Sequence, residues 1–463
     1  MAGHSHAHDH GHDAIPWSTV RSNRVLQAVL GLVVVAGAAT IVGLIALWPT
    51  SEGQDAAISQ GAQVGLGSAR YAATVTEVRD GPCSYSTSAN PQDCRTVGFE
   101  LDEGPFRGEQ QVFQEFNLNI DAITPDVEIG DAIIAGYEPS TEFWFYADRD
   151  RRASLVWLTV IFAAVVIALS RLRGIAALAA MVMTVVVLIS FVAPSVLDGN
   201  DPLLVAVVAA AAIAFVSLYL THGVSPTTTV ALGGTLISLS LTLGLASVFF
   251  SLARFTGLAT EEALLLPFIA GDIDLGALLL GGAVLGTLGA LDDVTVTQVA
   301  TVAELRLRSP DLDARDLVVS GIRVGREHIA STVNTLLLAY AGASMPLLLL
   351  FAASEQELDK VANAELISVE IVRTLTGSIG LVAAVPVTTL LAALVISPRS
   401  AETEEATDVG SAVLSGEWPT EPPTAPGDTA DDAEEVDEVE PDEPSAPPPS
   451  WDDFAPDDDT TRW

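Results

Sequence analysis

The stretch VLQAVLGLVVVAGAATIVGLIALW, Val25–Trp48, runs 24 residues without a charge. About 20 apolar residues in a helix cross a hydrocarbon core ~30 Å thick. A signal-peptide core is about 7–15 residues long and ends at a small-residue cleavage site. This run is longer and ends in LWPT, so it reads as a retained transmembrane anchor, residues 25–48. Arg21 and Arg24 precede it with no acid nearby. The positive-inside rule therefore places the N-terminal segment, 1–24, in the cytoplasm.

Seven further apolar runs follow: Ala153–Ser170, Ile175–Val196, Leu203–Thr221, Thr228–Phe250, Leu275–Leu291, Ala330–Phe351 and Val372–Ile396. The loops between them alternate in charge. Arg171 and Arg173 fall inside, as does segment 292–329 with Arg306, Arg308, Arg315, Arg323 and Arg326. Segments 198–201, 251–274 and 354–365 fall outside and are mainly acidic. DRDRR, 148–152, is an external basic cluster that departs from the rule. The fold class expected is a polytopic α-helical membrane protein of about eight transmembrane helices. A seven-helix bundle spans 153–397 with a cytoplasmic loop at 292–329, and both termini lie in the cytoplasm.

Composition agrees. Hydrophobic residues make up 49% of the 463 and charged residues only 17%, which excludes a soluble chain of two or three domains. The net charge of −38 is uneven, because residues 401–463 carry 21 acids and one basic residue, Arg462. That balance excludes nucleic acid as a partner. A single lysine, Lys360, beside abundant Arg, Ala and Val points to a GC-rich bacterial source and hence to the inner membrane. The tail 398–463, rich in Pro and acids, has too few apolar residues to offset the entropy of ordering and is expected to be disordered.

Residues 49–152 form the one sizeable polar stretch between anchor and bundle. RYAATVTEV, TVGFEL, QQVFQEFNL, VEIGDAIIAGY and EFWFYA are short, partly alternating runs separated by turn formers. They predict a small extracytoplasmic β-rich domain, OB-like in type. Both cysteines, Cys83 and Cys94, lie here, and outside the cytoplasm they are expected to pair.

Polar groups inside a bilayer need a reason, since a charge at a helix centre costs about 2.5–3.5 kcal/mol. Three stretches supply candidates. GALDDV (289–294) holds Asp292 and Asp293, either a cation or proton relay or an interfacial cap opening a new helix. GREHIASTVNTLLLAYAGASMPLLLL (325–350) holds Asn334 and Tyr340, and Pro346 frees the carbonyl of Gly342 for a kink or an ion-coordinating break. EIVRTLTGSIGLVAAVPVTTLLAAL (370–394) holds Glu370 and Arg373, spaced to pair on one helix face. Packing within the bundle is the plain alternative for each.

Together these three strings resemble the YibE/F family of bacterial multispanning proteins, over roughly residues 60–397. The resemblance implies an anchor, an external β-rich domain and a bundle, and it brings no established substrate. The family pattern Gly-Ala-x-x-Asp-Val matches Asp293, which makes Asp292 an addition in this chain.

The N-terminal HSHAHDHGHD places His4, His6, His8, His10 and His12 at alternate positions, able to wrap Zn, Ni or Cu. A transported metal also needs ligands within the bundle, so the head alone does not identify cargo. No Ser/His/Asp or metal-ligand spacing supports a membrane hydrolase, and an enzyme is not expected. A transporter or permease of an unknown substrate, ions among the options, is the leading expectation. A scaffold or sensor binding an envelope or cytoplasmic protein partner is the second, and transition-metal transport or sequestration the third. The bilayer is a partner in every case, and oligomers are compatible with all three.

Overall fold

The computed structural model describes residues 17, 20, 23–63, 68–88, 90–113, 115–118, 124–139, 141–271, 273–353 and 357–396. The histidines at 4–12 and the acidic tail lie outside the described residues.

Helix α1 (Arg24–Ala46) is capped by Asn23, whose side chain accepts from the amides of Val25 and Leu26. The Asn23 amide donates to the carbonyls of Leu394 and Val395 at 3.0 and 3.1 Å. The start of the anchor is thus pinned to the last of the described helices. After α2 (Ser51–Gln63) comes the sheet domain, then α3 (Arg152–Val187). A π-helical turn, Leu188–Val192, and α4 (Ala193–Leu197) extend α3. The bundle continues with α5 (Pro202–His222), α6 (Pro226–Ala253), α7 (Glu261–Ile269), α8 (Leu275–Arg308), α9 (Ala314–Ala343), α10 (Met345–Ala353), α11 (Leu358–Asn363) and α12 (Glu365–Ile396).

Six of the described helices are long and apolar enough to cross a membrane, or up to seven if α9 and α10, bent by 65°, form one span. The bend falls at Ser344, next to the turn that Pro346 weakens. One of the six, Arg152–Leu197, is 46 residues long. Its backbone leaves helical geometry at Arg171 (φ 52°, ψ −126°). A Cβ on Gly174 would lie 2.6 Å from the carbonyl oxygen of Val166. Eight residues of unbroken helix would separate them by about 12 Å, so the chain doubles back at Arg171.

One segment differs from the sequence reading. Residues 292–329 are not a loop: α8 runs unbroken through Asp292 and Asp293 to Arg308, and α9 begins at Ala314. Charge ends an apolar run without ending a helix, and the breaker comes only at Ser309–Pro310, before the cap Asp313. The two aspartates therefore do not cap a new helix. Segment 49–152 opens with α2, and the sheet begins at Ala69.

Helices α6, α8 and α12 pack on one another, with α5 against α8 and α9 against α12. Their contacts use small residues. A Cβ on Gly380 would meet Thr242 Oγ1 at 1.8 Å, and one on Gly234 would meet Thr388 Oγ1 at 2.5 Å. The pairings 234–388 and 242–380 run in opposite directions, so α6 and α12 are antiparallel and nearly touch along their backbones. The start of α12 is held by Glu365, which accepts from the amides of Thr256 and Gly257 at 2.8 and 2.7 Å.

The sheet is antiparallel, with order β3 (Gln110–Val112), β2 (Asp93–Leu101), β1 (Ala69–Pro82), β5 (Ala132–Glu138), β6 (Phe143–Arg149), and β4 (Phe116–Asn117) also on β2. Register shifts between Val75 and Glu77 and between Ile134 and Ala135 curl it. Its core buries Val75, Val97, Phe99, Phe113, Ile133 and Trp144. Cys83 and Cys94 are joined by a disulfide across the base of the β1–β2 connection. Among the described residues no strand makes an extensive contact with a helix.

Candidate functional site

Helix α8 carries two polar groups. In the first, the Oδ2 of Asp292 accepts from Ser217 Oγ of α5 at 3.0 Å. Its Oδ1 is buried and has no hydrogen-bond partner among the described residues. One turn on, Thr295 donates to the Asp292 carbonyl at 3.1 Å, and its hydroxyl lies 2.7 Å from that of Thr235 on α6. Further along, buried Gln298 donates to the Gly321 carbonyl and to Thr389 Oγ1, both at 2.7 Å, tying α8 to α9 and α12.

Adjacent helical residues point about 100° apart, and Asp293 accordingly faces elsewhere. Its side chain is 71% exposed, with Oδ2 3.9 Å from His328 Nε2 of α9. The motif position Asp293 thus lies at the rim, and the neighbouring Asp292 is the acid that enters the bundle.

The second group lies nearer the start of α8. Arg373 Nη1 donates to Glu370 Oε1 at 2.7 Å, with the side chains 19% and 29% exposed. The Arg373 Nε is buried and unpartnered among the described residues. A Cβ on Gly282 would lie 3.9 Å from Arg373 Nη2, and one on Gly286 would lie 3.1 Å from the Tyr340 hydroxyl. The glycines of α8 leave the room that these two long polar side chains fill. Gly286 and Asp292 are six residues apart, about 9 Å along the axis. Thr287, Leu288 and Leu291, all buried, separate the two groups.

The structure therefore brings Tyr340, Glu370 and Arg373 together, and sets Asp292 and Asp293 apart from them and from each other. Asn334 joins neither group. It sits on an exposed face of α9 and does not line an interior path within one chain, because Val333 and Leu336 take the inward positions. Ser217, which orients Asp292, carried no signal in the sequence, where it is one hydroxyl among many. Among the described residues no three His, Cys, Asp or Glu side chains are placed to hold a metal ion.

A family model described as YibE/F-like protein matches residues 158–398. The match starts within α3, so α1 and the sheet lie outside it, in contrast to the wider span read from the sequence. No curated protein and no solved structure matches the chain.

Proposed function

Because the chain belongs to the YibE/F-like protein family and its apolar helices make it an integral membrane protein, we propose that it is a permease for a small ionic substrate. The path in this reading follows α8 between α5, α9 and α12. The single observation that carries it is a carboxylate, Asp292, drawn into the bundle with one oxygen bonded to Ser217 and the other left open. A group so expensive to desolvate is kept in membrane proteins where it serves ions or protons. Arg373, Glu370 and Tyr340 form the outer station, and Thr287, Leu288 and Leu291 form the apolar barrier between.

The reading extends to topology. Counting the two arms that meet at Arg171 separately, and α9 with α10 as one, gives eight spans with both termini in the cytoplasm of a bacterial inner membrane. The sheet then lies outside, where a disulfide persists. Its strand order and bulges support an OB-like assignment with an unclosed edge. No catalytic step is assigned.

A second reading has its own support. The sheet has a separate core and joins the bundle through the 152–170 arm, whose side chains are almost all exposed. That suits a scaffold or sensor holding out a binding module. Metal handling by His4–His12 is a third, resting on sequence alone.

Proteoliposomes separate these readings. Protein-dependent flux is expected for at least one of protons (pyranine), sodium, zinc or labelled amino acids, and Asp292→Asn should reduce it at least tenfold. Flux that survives both Asp292→Asn and Arg373→Leu would remove this path. Liposomes no leakier than empty ones to every probe would favour the scaffold. Loss of zinc flux on deleting residues 1–13 would promote the metal reading.

A further inference from the structure

Helix α9 breaks level with the polar pair of α12. Gly377 of α12 packs on Thr287 of α8, where a Cβ would meet Thr287 Cγ2 at 2.5 Å. Each lies twelve residues from the start of its helix, so Glu365 and Leu275 are level with one another, about 18 Å from that contact. Gly257 joins them, its amide donating to Glu365 at 2.7 Å and a Cβ on it meeting that of Leu275 at 2.5 Å. The apolar run of α8 starts at Leu275, directly after Asp274, so this rim marks the edge of the hydrocarbon layer. Arg373 is rooted eight residues below the rim, about 12 Å, and Glu370 five residues, about 8 Å. Tyr340 stands against Gly286, so on the antiparallel α9 the break at Ser344 falls level with Gly282, the residue beneath the Arg373 guanidinium. From there α10 turns away by 65°, buries none of its residues and makes extensive contact with α9 alone. The upper part of the groove between α8 and α12, which a straight α9 would have filled, is open to the side.

We infer that this opening binds the headgroup of a zwitterionic lipid from the adjoining leaflet, with the lipid phosphate on Arg373 and its primary ammonium on Glu370. Charge selects that occupant. The two side chains are 19% and 29% exposed, and at their depth acyl chains offer no hydrogen bond to either. The pair is also only partly used. A guanidinium has five N–H donors, and Arg373 gives one to Glu370 Oε1 while its buried Nε has no partner among the described residues. The other oxygen of Glu370 accepts nothing among them. A bare anion would be repelled by Glu370 and a bare cation by Arg373, whereas a group carrying both charges satisfies each, and the planar fork of arginine suits a phosphate. The order along the groove fits as well: in such a lipid the ammonium lies outward of the phosphate, as Glu370 lies outward of Arg373. Helical side chains lean towards the N-terminus, which on α12 is the rim, so the pair reaches towards headgroup level. Leu348, Leu349 and Leu350 of α10, 41%, 65% and 67% exposed, supply an apolar wall for the acyl chains. This site goes beyond the permease reading and does not depend on flux, because it uses the donors and the oxygen that the ion pair leaves free.

The test is lipid binding to the full chain in detergent, followed by native mass spectrometry with phosphatidylethanolamine, phosphatidylcholine and phosphatidylglycerol of the same acyl chains. Phosphatidylethanolamine should bind at least tenfold more tightly than either of the others, since choline has no N–H to donate to Glu370 and glycerol has no cation. Glu370→Gln should weaken it about tenfold and erase the preference over phosphatidylcholine. Gly282→Leu, which fills the exposed floor of the groove below the guanidinium, should weaken it similarly while thermal unfolding without lipid stays unchanged. Equal binding of the three lipids, or phosphatidylethanolamine binding indifferent to both substitutions, would overturn the inference. So would displacement of the lipid by an equal concentration of soluble phosphoethanolamine, which would make the ligand a free zwitterion. None of these measurements reads flux, so a failure of the permease reading would leave their outcome standing.

Discussion

Inside the sheet domain lie Val75, Val97, Phe99, Leu101, Phe113 and Trp144, and its one buried polar side chain among the described residues is Asn117. Inside the bundle lie Ala210, Ala214, Thr235, Ser238, Thr242, Thr295, Gln298, Thr388 and Thr389, while Leu155, Trp157, Phe162 and Leu252 face outward. The same chain thus folds by two rules. In water, burying large apolar side chains stabilises the fold. In lipid that force is gone between helices, and stability comes from close backbone approach and hydrogen bonds among hydroxyls. The bundle interior holds buried Leu218, Leu232, Leu288, Leu291 and Leu381 as well, and its small hydroxyl residues leave room among them for Asp292 and Arg373. The sheet's interior has none.

The largest test of this contrast is Phe99→Ala. The ring is fully buried, stacked on Phe113 at 4.1 Å and edge-on to Trp144 at 5.8 Å. Removing it should cost the sheet about 3–5 kcal/mol. Hydrogen exchange read segment by segment should show residues 69–149 losing protection while α6, α8 and α12 keep theirs. Parallel loss in both regions would mean that the two cores are one cooperative unit.

Gly380→Ala is the counterpart in the bundle. On an ordinary helix the change gains about 1 kcal/mol, because alanine is the better helix former. Here the added carbon would sit 1.8 Å from Thr242 Oγ1 and 3.0 Å from its Cβ, so overpacking should reverse the sign and cost about 2–3 kcal/mol. Thr242→Ala in the same molecule should recover part of the loss. Gly244→Ala, whose Cβ would meet nothing within 4 Å, should be neutral or stabilising. Equal melting temperatures for Gly380→Ala and Gly244→Ala would show that close approach does not hold α6 to α12.

These two regions were legible in the sequence to different depths. The apolar runs could be read because lipid demands length and little else, and the strands because alternation and turn residues mark them. The start of α8 at Leu275 is legible in the sequence but its far end is not, because aspartates and arginines end the apolar run at Leu291 while nothing before Ser309 breaks the helix. Which acid turns inward was not legible at all. Asp292 and Asp293 differ by one step of rotation, and only the position of Ser217 on a helix 75 residues away decides between them. The Glu370–Arg373 pair could be read because its spacing is local. That Tyr340 joins it depends on the α8 glycines and the turn at 309–313, which set the register of α9.

The smallest expected effect concerns surface charge, which the sheet can use and the lipid-facing side of the bundle cannot. Asp80 on β1 accepts two hydrogen bonds from Arg95 on β2, at 2.8 and 2.9 Å, and the guanidinium holds its carboxyl below the usual range. A carboxylate shifted down in the folded state stabilises above its unfolded pKa of about 3.9, and that contribution fades as pH falls through the lower folded value. The Asp80 side chain is 48% exposed, so screening keeps the effect below about 1 kcal/mol. Pepsin cleavage within residues 69–149 of the intact protein, followed from pH 5 down to pH 2, should be slightly faster for Asp80→Asn at the upper end and converge with the unaltered chain at the lower. High salt should narrow the gap at pH 5. A gap that stays constant across the range would show that Asp80 acts through packing, and the sheet would then rely on its surface charges no more than the bundle does.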